Sequence, residues 1–177
     1  LREEAPLTDQ ASCPASVLVP LVMRQELTVL LTQRCAHLPT HAGQIAFPGG
    51  KQDAEDPSPV HAALREAHEE VGLDTRRVDV LGSLPVYRTG TAFVVTPVVA
   101  LVPSDMQWHP NPHEVDEVFE VPLSFLMNPA HHRRHALEWQ GRLRTWYSMP
   151  YDDGRRERWI WGATAGMLRN LYRFLSA

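Results

Sequence analysis

The sequence predicts an α/β fold in which a mixed β-sheet packs between helices. Three observations lead there: β-rich runs dominate the chain, one amphipathic helix lies near its middle, and a second closes it. Residues 1–14 are polar and contain prolines, and read as an N-terminal arm. Residues 15–177 read as one domain, long enough to close a hydrophobic core. Runs 16–23 and 27–32 are β-rich and flank Arg24-Gln25-Glu26, which predicts a hairpin. Residues 33–56 hold one short apolar run, Ile45-Ala46-Phe47, in an otherwise irregular stretch. Loops of that length in a compact domain are usually functional or disordered. A helix is predicted over 57–71, and strands over 78–84, 93–102 and 118–121. Residues 123–127 read as a short helix stopped by Asn128-Pro129, and 135–139 with 143–147 as a hairpin turning on Gln140-Gly141. The final helix spans 162–175, with Thr164, Met167, Leu168, Leu171, Phe174 and Leu175 as its core stripe.

Composition narrows the function. A net charge of −4 argues against a nucleic-acid binder, which is normally basic. Lys51 is the single lysine among 17 basic residues, and arginine is the side chain whose planar fork matches phosphate. Cys13 and Cys35 are too few for a disulfide framework and fit a reduced, cytoplasmic setting. No apolar segment follows Leu1-Arg2-Glu3-Glu4 as in a signal peptide, and none is long enough to span a bilayer, so no membrane partner is expected.

The helix over 57–71 carries the chemistry. Asp56 suits its N-cap, Pro57 its first position and Gly72 the position just past its end. Val60, Ala63, Leu64, Ala67 and Val71 form one apolar stripe. At about 100° per residue, Glu66 and Glu70 flank that stripe at the rim of the buried face, while Glu69 points toward solvent. For a plain helix this is poor design. Like charges four residues apart cost roughly 0.2–0.5 kcal/mol. Acids in the last turn oppose the helix dipole by roughly 0.3–1 kcal/mol each. Arg65 offsets part of this by pairing with Glu69. A divalent cation would remove the conflict, and carboxylates suit a hard ion such as Mg²⁺ or Mn²⁺.

The run Arg65-Glu66-Ala67-His68-Glu69-Glu70-Val71-Gly72 closely resembles the core of the Nudix box, a loop–helix–loop signature. Its upstream half has one extra residue between Gly50 and Arg65, and Asp56 stands where a glutamate is usual. Both departures are familiar in the coenzyme A pyrophosphatase branch. Residues 30–50, ending Gly43-Gln44-Ile45-Ala46-Phe47-Pro48-Gly49-Gly50, resemble that branch's second motif, with Cys35 in place of serine and Pro39 in place of arginine.

The resemblance implies an α/β/α sandwich and a pyrophosphate hydrolase that cleaves coenzyme A or its derivatives. It makes Glu66 and Glu70 the primary metal ligands and Glu69 an auxiliary ligand or the base. Arg65 then orients Glu69, Gly49 and Gly50 let backbone approach metal or phosphate through strained turns, and Glu114 is a second candidate base. Arg34 is a candidate phosphate contact. His131-His132-Arg133-Arg134 is a basic cluster for which a solvated loop is the simpler reading. Trp139, Trp146, Trp159 and Trp161 read as core or dimer contacts, which leaves a homodimer open. Cys35, beside Arg34, is expected to favour its thiolate and to border the substrate. The rivals are a Nudix hydrolase of another nucleoside diphosphate derivative or oxidised nucleotide, and a non-catalytic Nudix-fold module. The latter would be expected to have lost acids that are present here.

Overall fold

The computed structural model describes residues 12–177. The predicted arm lies mostly outside them, and its last two residues, Cys13 and Pro14, instead open strand β1 (Cys13–Met23). There follow β2 (Leu27–Arg34), β3 (Ile45–Ala46), β4 (Gly49–Lys51), helix α1 (Pro59–Val71), β5 (Asp79–Ser83), β6 (Tyr87–Arg88), β7 (Phe93–Val102) and β8 (Val115–Pro122). The chain closes with a single turn of helix α2 (Leu123–Leu126), β9 (Arg133–Trp139), β10 (Arg142–Asp152), β11 (Glu157–Trp161) and α3 (Gly162–Leu175).

The larger sheet is mixed. Its path runs β3-β2-β1-β7-β5, with β4 on β1, β6 on β7 and β8 on β2. β1 and β2 form the expected antiparallel hairpin, while β1 and β7 run parallel over ten register pairs. Such a parallel pair needs a crossover, and α1 lies within it. Successive residues of β1 face opposite sides of the sheet. Leu18 and Val22 join Ala63, Ala67 and Val71 of α1, whereas Val19 and Leu21 join Leu168 and Leu171 of α3. Helices thus cover both faces of the sheet, and the buried stripe of α1 is the one its periodicity predicts.

A second, three-stranded antiparallel sheet, β11-β10-β9, was not anticipated as a separate layer. Its inner side buries Met149 and Ile160 in the same core as α3. The tryptophans do not fill that core: Trp139, Trp159 and Trp161 are exposed. The α3 stripe holds from Thr164 to Leu171, but Phe174 and Leu175 stand exposed at an apolar hollow of about 250 Å³ shared with Leu81 and Leu123.

Candidate functional site

Two X-Pro pairs precede α1, and the second one starts it. Ser58, not Asp56, is the N-cap, its hydroxyl accepting from the His61 N–H at 3.1 Å, with Pro59 in the first turn. Gly72 ends the helix in the left-handed conformation at φ 69°, as expected. Asp56 is thereby released for another task. Its carboxylate takes a two-pronged grip from Arg65, Nε at 3.0 Å and Nη2 at 2.8 Å, and also accepts from the Asp53 N–H. The guanidinium holds Asp56 well below the usual carboxylate range, and the carboxylate in turn raises Arg65. The remaining Arg65 donors reach Lys51 O at 3.2 Å, Glu66 at 3.2 Å and Glu69 at 3.3 Å. Arg65 therefore ties the loop before α1 to the helix, and its contact with Glu69 is the weaker one.

Glu70 is only 5% exposed and accepts a hydrogen bond from the Gly49 N–H at 3.2 Å. Burial pushes its carboxyl up to about 8; repulsion from Glu66 and Glu114 adds to this, while Gly49 and Arg34 oppose it. Glu66 is raised as well, first by burial, with Arg65 pulling the other way. The Glu69 side chain is half exposed, which matches its expected outward position.

Gly49 and Gly50 lie in β4, paired with Val17 and Ser16 of β1, and neither has a positive φ. The strained-turn explanation for them is therefore wrong; what matters is the missing side chain. A Cβ on Gly49 would lie 2.6 Å from Val17 Cα, and one on Gly50 would lie 2.6 Å from the Glu66 carboxyl carbon. Backbone and carboxylate meet there because both positions are glycine.

The segment carrying Glu114 is bound to the end of α1. His109 N–H donates to Val71 O, and Asn111 N–H donates to Glu70 O, both at 2.8 Å. Glu114 O then accepts from Cys35 N–H at 3.0 Å, next to Arg34 at the end of β2. Arg34, Glu66 and Glu114 consequently act on Glu70 electrostatically, and Glu114 acts on Glu66, although they come from three separate parts of the chain. The Arg34 Nε is buried without a hydrogen-bond partner among the described residues. Such an atom is one that an anionic ligand would satisfy.

Other expectations fail. Cys35 is fully buried beside Pro112 O, and desolvation raises its thiol in spite of Arg34, so it is not an activated thiolate at the cleft. The basic cluster after Pro129 is dispersed. The rings of His131 and His132 bond to Phe125 O and Leu126 O, Arg169 bonds to His132, and Arg133 and Arg134 belong to β9. The sequence marks Asp56 as a cap and gives no sign of Asn111, yet Asp56 is gripped by Arg65 and Asn111 N–H donates to Glu70 O.

Among the described residues no three carboxylate, imidazole or thiol groups converge into a ready-made metal cage. Mg²⁺ usually takes one or two carboxylates and completes its shell with waters and substrate phosphates. Glu70, buried, and Glu66, half-buried, with no cation beyond Arg65 hydrogen-bonded to either among the described residues, are a donor set that fits such an ion.

The mixed sheet, the helix α1 and the loop–helix–loop around it define a hydrolase fold of the Nudix type. The chain belongs to the Nudix family: the NUDIX domain model matches residues 14–147. Members of this family generally use divalent cations such as Mg²⁺ or Mn²⁺ and act on small nucleotide diphosphates. A relative from Enterobacter sp. named Uncharacterized Nudix hydrolase NudL is 44% identical over 160 residues, which cover 89% of this chain and 80% of that protein. Among solved structures, the M. smegmatis Nudix hydrolase RenU superposes with a TM-score of 0.52 at 26% identity, over 64% of this chain and 71% of that one. The NUDIX domain of Shewanella oneidensis NrtR, complexed with ADP ribose, shares the fold, with a TM-score of 0.50 at 23% identity over 66% and 76% of the two chains. No helix among the described residues is long and apolar enough to cross a membrane.

Proposed function

We infer that this Nudix hydrolase cleaves the pyrophosphate of coenzyme A or its derivatives, giving 4′-phosphopantetheine and adenosine 3′,5′-bisphosphate, in the cytoplasm. The observation that carries the reading is the grouping of Arg34, Glu66, Glu70 and Glu114 beside the backbone cleared by Gly49 and Gly50. The substrate assignment rests on the motif over residues 30–50, which supplies Arg34 and both glycines.

Glu66 and Glu70 would hold Mg²⁺ or Mn²⁺, with Glu69 as an auxiliary ligand. When bound, the ion neutralises diphosphate charge and acidifies a water. The chain's own groups do the rest. Arg34 forks onto phosphate oxygens. Glu114 or Glu69 accepts the proton of the attacking water at a carboxylate oxygen. Arg65 positions Glu69 and, through Asp56, fixes the loop that ends at α1. Gly49 and Gly50 keep Cβ atoms out of the space where backbone meets carboxylate.

Pro39, where the branch commonly has arginine, favours one second reading: a nucleoside diphosphate derivative other than coenzyme A. Incubation with Mg²⁺ and a panel of diphosphates, with products identified by mass, separates the two. Cleavage of free or acylated coenzyme A to the two named products is expected. Consumption of other diphosphates with coenzyme A untouched would overturn the assignment. The exposed tryptophans of the second sheet also support a homodimeric assembly.

A further inference from the structure

We propose that the outer face of the β9-β10-β11 sheet is a two-fold interface joining two copies of this chain. The surface rests on the homodimeric reading of the assembly and is independent of the substrate. Residues paired across antiparallel strands share a face. The register pairs His135 with Trp146, Leu137 with Arg144 and Trp139 with Arg142 on one side, and Ser148 with Trp161 and Pro150 with Trp159 on the other. All of these side chains therefore lie on one face, opposite buried Met149 and Ile160. At its centre His135 stacks on Trp146 with ring centroids 5.3 Å apart, touches Trp159 at 6.2 Å, and is fixed by Ser148 at 2.7 Å.

The apolar area is that of a patch which is often functional. Leu137 and Trp139 are each 54% exposed, Trp159 43% and Trp161 40%. Each tryptophan leaves on the order of 100 Å² of apolar surface in water. The patch is then on the order of 400 Å², within the range at which an exposed patch on a monomer is often functional. With its charged flanks it approaches the roughly 800 Å² per partner of a standard interface.

The charges select the occupant. Exposed Arg133, paired with Ser148, lies near the middle of the face; Arg142 and Arg144 stand at one end, Asp152 and Glu157 at the other. Among the described residues no ion pair involves the four at the ends; the nearby pairs join Arg156 and Arg158 to Glu117, and Arg158 to Asp153. A two-fold axis lying between two stacked sheets and running across the strands near Trp146 reverses strand direction. It lays the arginine end of one copy over the acidic end of the other, twice. An isologous interface requires this self-complementarity. A polyanion such as single-stranded nucleic acid would instead meet two acids on a protein of net charge −4.

The test is sedimentation of the full chain across micromolar concentrations. The wild type should reach twice the 20.0 kDa chain mass. Arg142→Glu alone, or Glu157→Arg alone, should weaken the dimer about tenfold or more, because each reversal creates two like-charge contacts. The double variant Arg142→Glu/Glu157→Arg should restore it, and circular dichroism checks that each variant is folded. A monomeric wild type, a dimer indifferent to either reversal, or failure of the double variant to recover would overturn the proposal. So would a monomer whose tryptophan fluorescence is quenched by a single-stranded oligonucleotide. Loss of coenzyme A cleavage would bear on the substrate alone, since none of these residues belongs to the carboxylate site.

Discussion

Replacing Glu70 by glutamine should stabilise the metal-free protein, increasingly so as pH rises. Glu70 is buried, and its carboxyl titrates at about 8 where 4.5 is ordinary. A carboxyl raised in this way is neutral in both folded and unfolded chains below the ordinary value. Between that value and about 8 the unfolded chain releases its proton first, so stability drains away, and above about 8 the loss is complete. The gap corresponds to a ceiling of ~5 kcal/mol if nothing relaxes. Small movements of Glu66 and entry of water should leave about 2 kcal/mol or more of it. Glutamine keeps a carbonyl oxygen for the Gly49 N–H but carries no charge, so it escapes the loss. In excess chelator the melting temperatures of the two proteins should differ least in mild acid. Above about pH 8 the variant should melt higher by about 4–8 °C. Adding Mg²⁺ should raise the wild type and leave the variant nearly unmoved. Parallel melting curves across the whole pH range would refute the claim that Glu70 is held in an electrostatic conflict.

Three further outcomes are expected. Gly50→Ala places a Cβ 2.6 Å from the Glu66 carboxyl carbon, so turnover should fall by about tenfold or more while the melting temperature changes little; unchanged turnover would show that Glu66 is free to move. Asp56→Asn removes the charge gripped by Arg65, and because Asp56 is held below its ordinary range, the stability it gives is present above about pH 4 and fades in acid. Melting temperatures of wild type and Asp56→Asn should therefore converge as pH falls, and a constant difference would contradict the pairing. Cys35 should resist thiol reagents in the native protein and react after unfolding, as measured by peptide mapping, since it is buried and its thiol is raised; fast native labelling would place it at the surface.

Much of the fold was legible because it is local. The apolar stripe of α1, the span of α3 and the β1-β2 hairpin follow from periodicity and turn residues within each segment. The start of α1 was misplaced because Asp56-Pro57 and Ser58-Pro59 satisfy the same capping rule, and only tertiary structure shows that Asp56 is occupied by Arg65. β4 was unreadable: Gly49-Gly50-Lys51 has no β-propensity and exists as a strand through its pairing with β1. The acids of α1 could be read from helix geometry, whereas Arg34 and Glu114 are candidates through the resemblance alone. The long-range backbone hydrogen bonds at Cys35 and Asn111 that bring their segments to the end of α1 leave no local mark. The expectation for Cys35 fails because its burial outweighs its charged neighbour.

The central claim is that the Glu66 and Glu70 carboxylates of α1, facing Gly49 and Gly50, hold the ion that drives hydrolysis. The direct measurement is Mg²⁺-dependent turnover of coenzyme A by the wild type, Glu66→Gln and Glu70→Gln, with each variant's melting temperature recorded in chelator. Loss of one carboxylate ligand should reduce turnover by about 10²-fold or more, in variants that melt no lower than the wild type. Near-normal turnover in both folded variants would contradict the account.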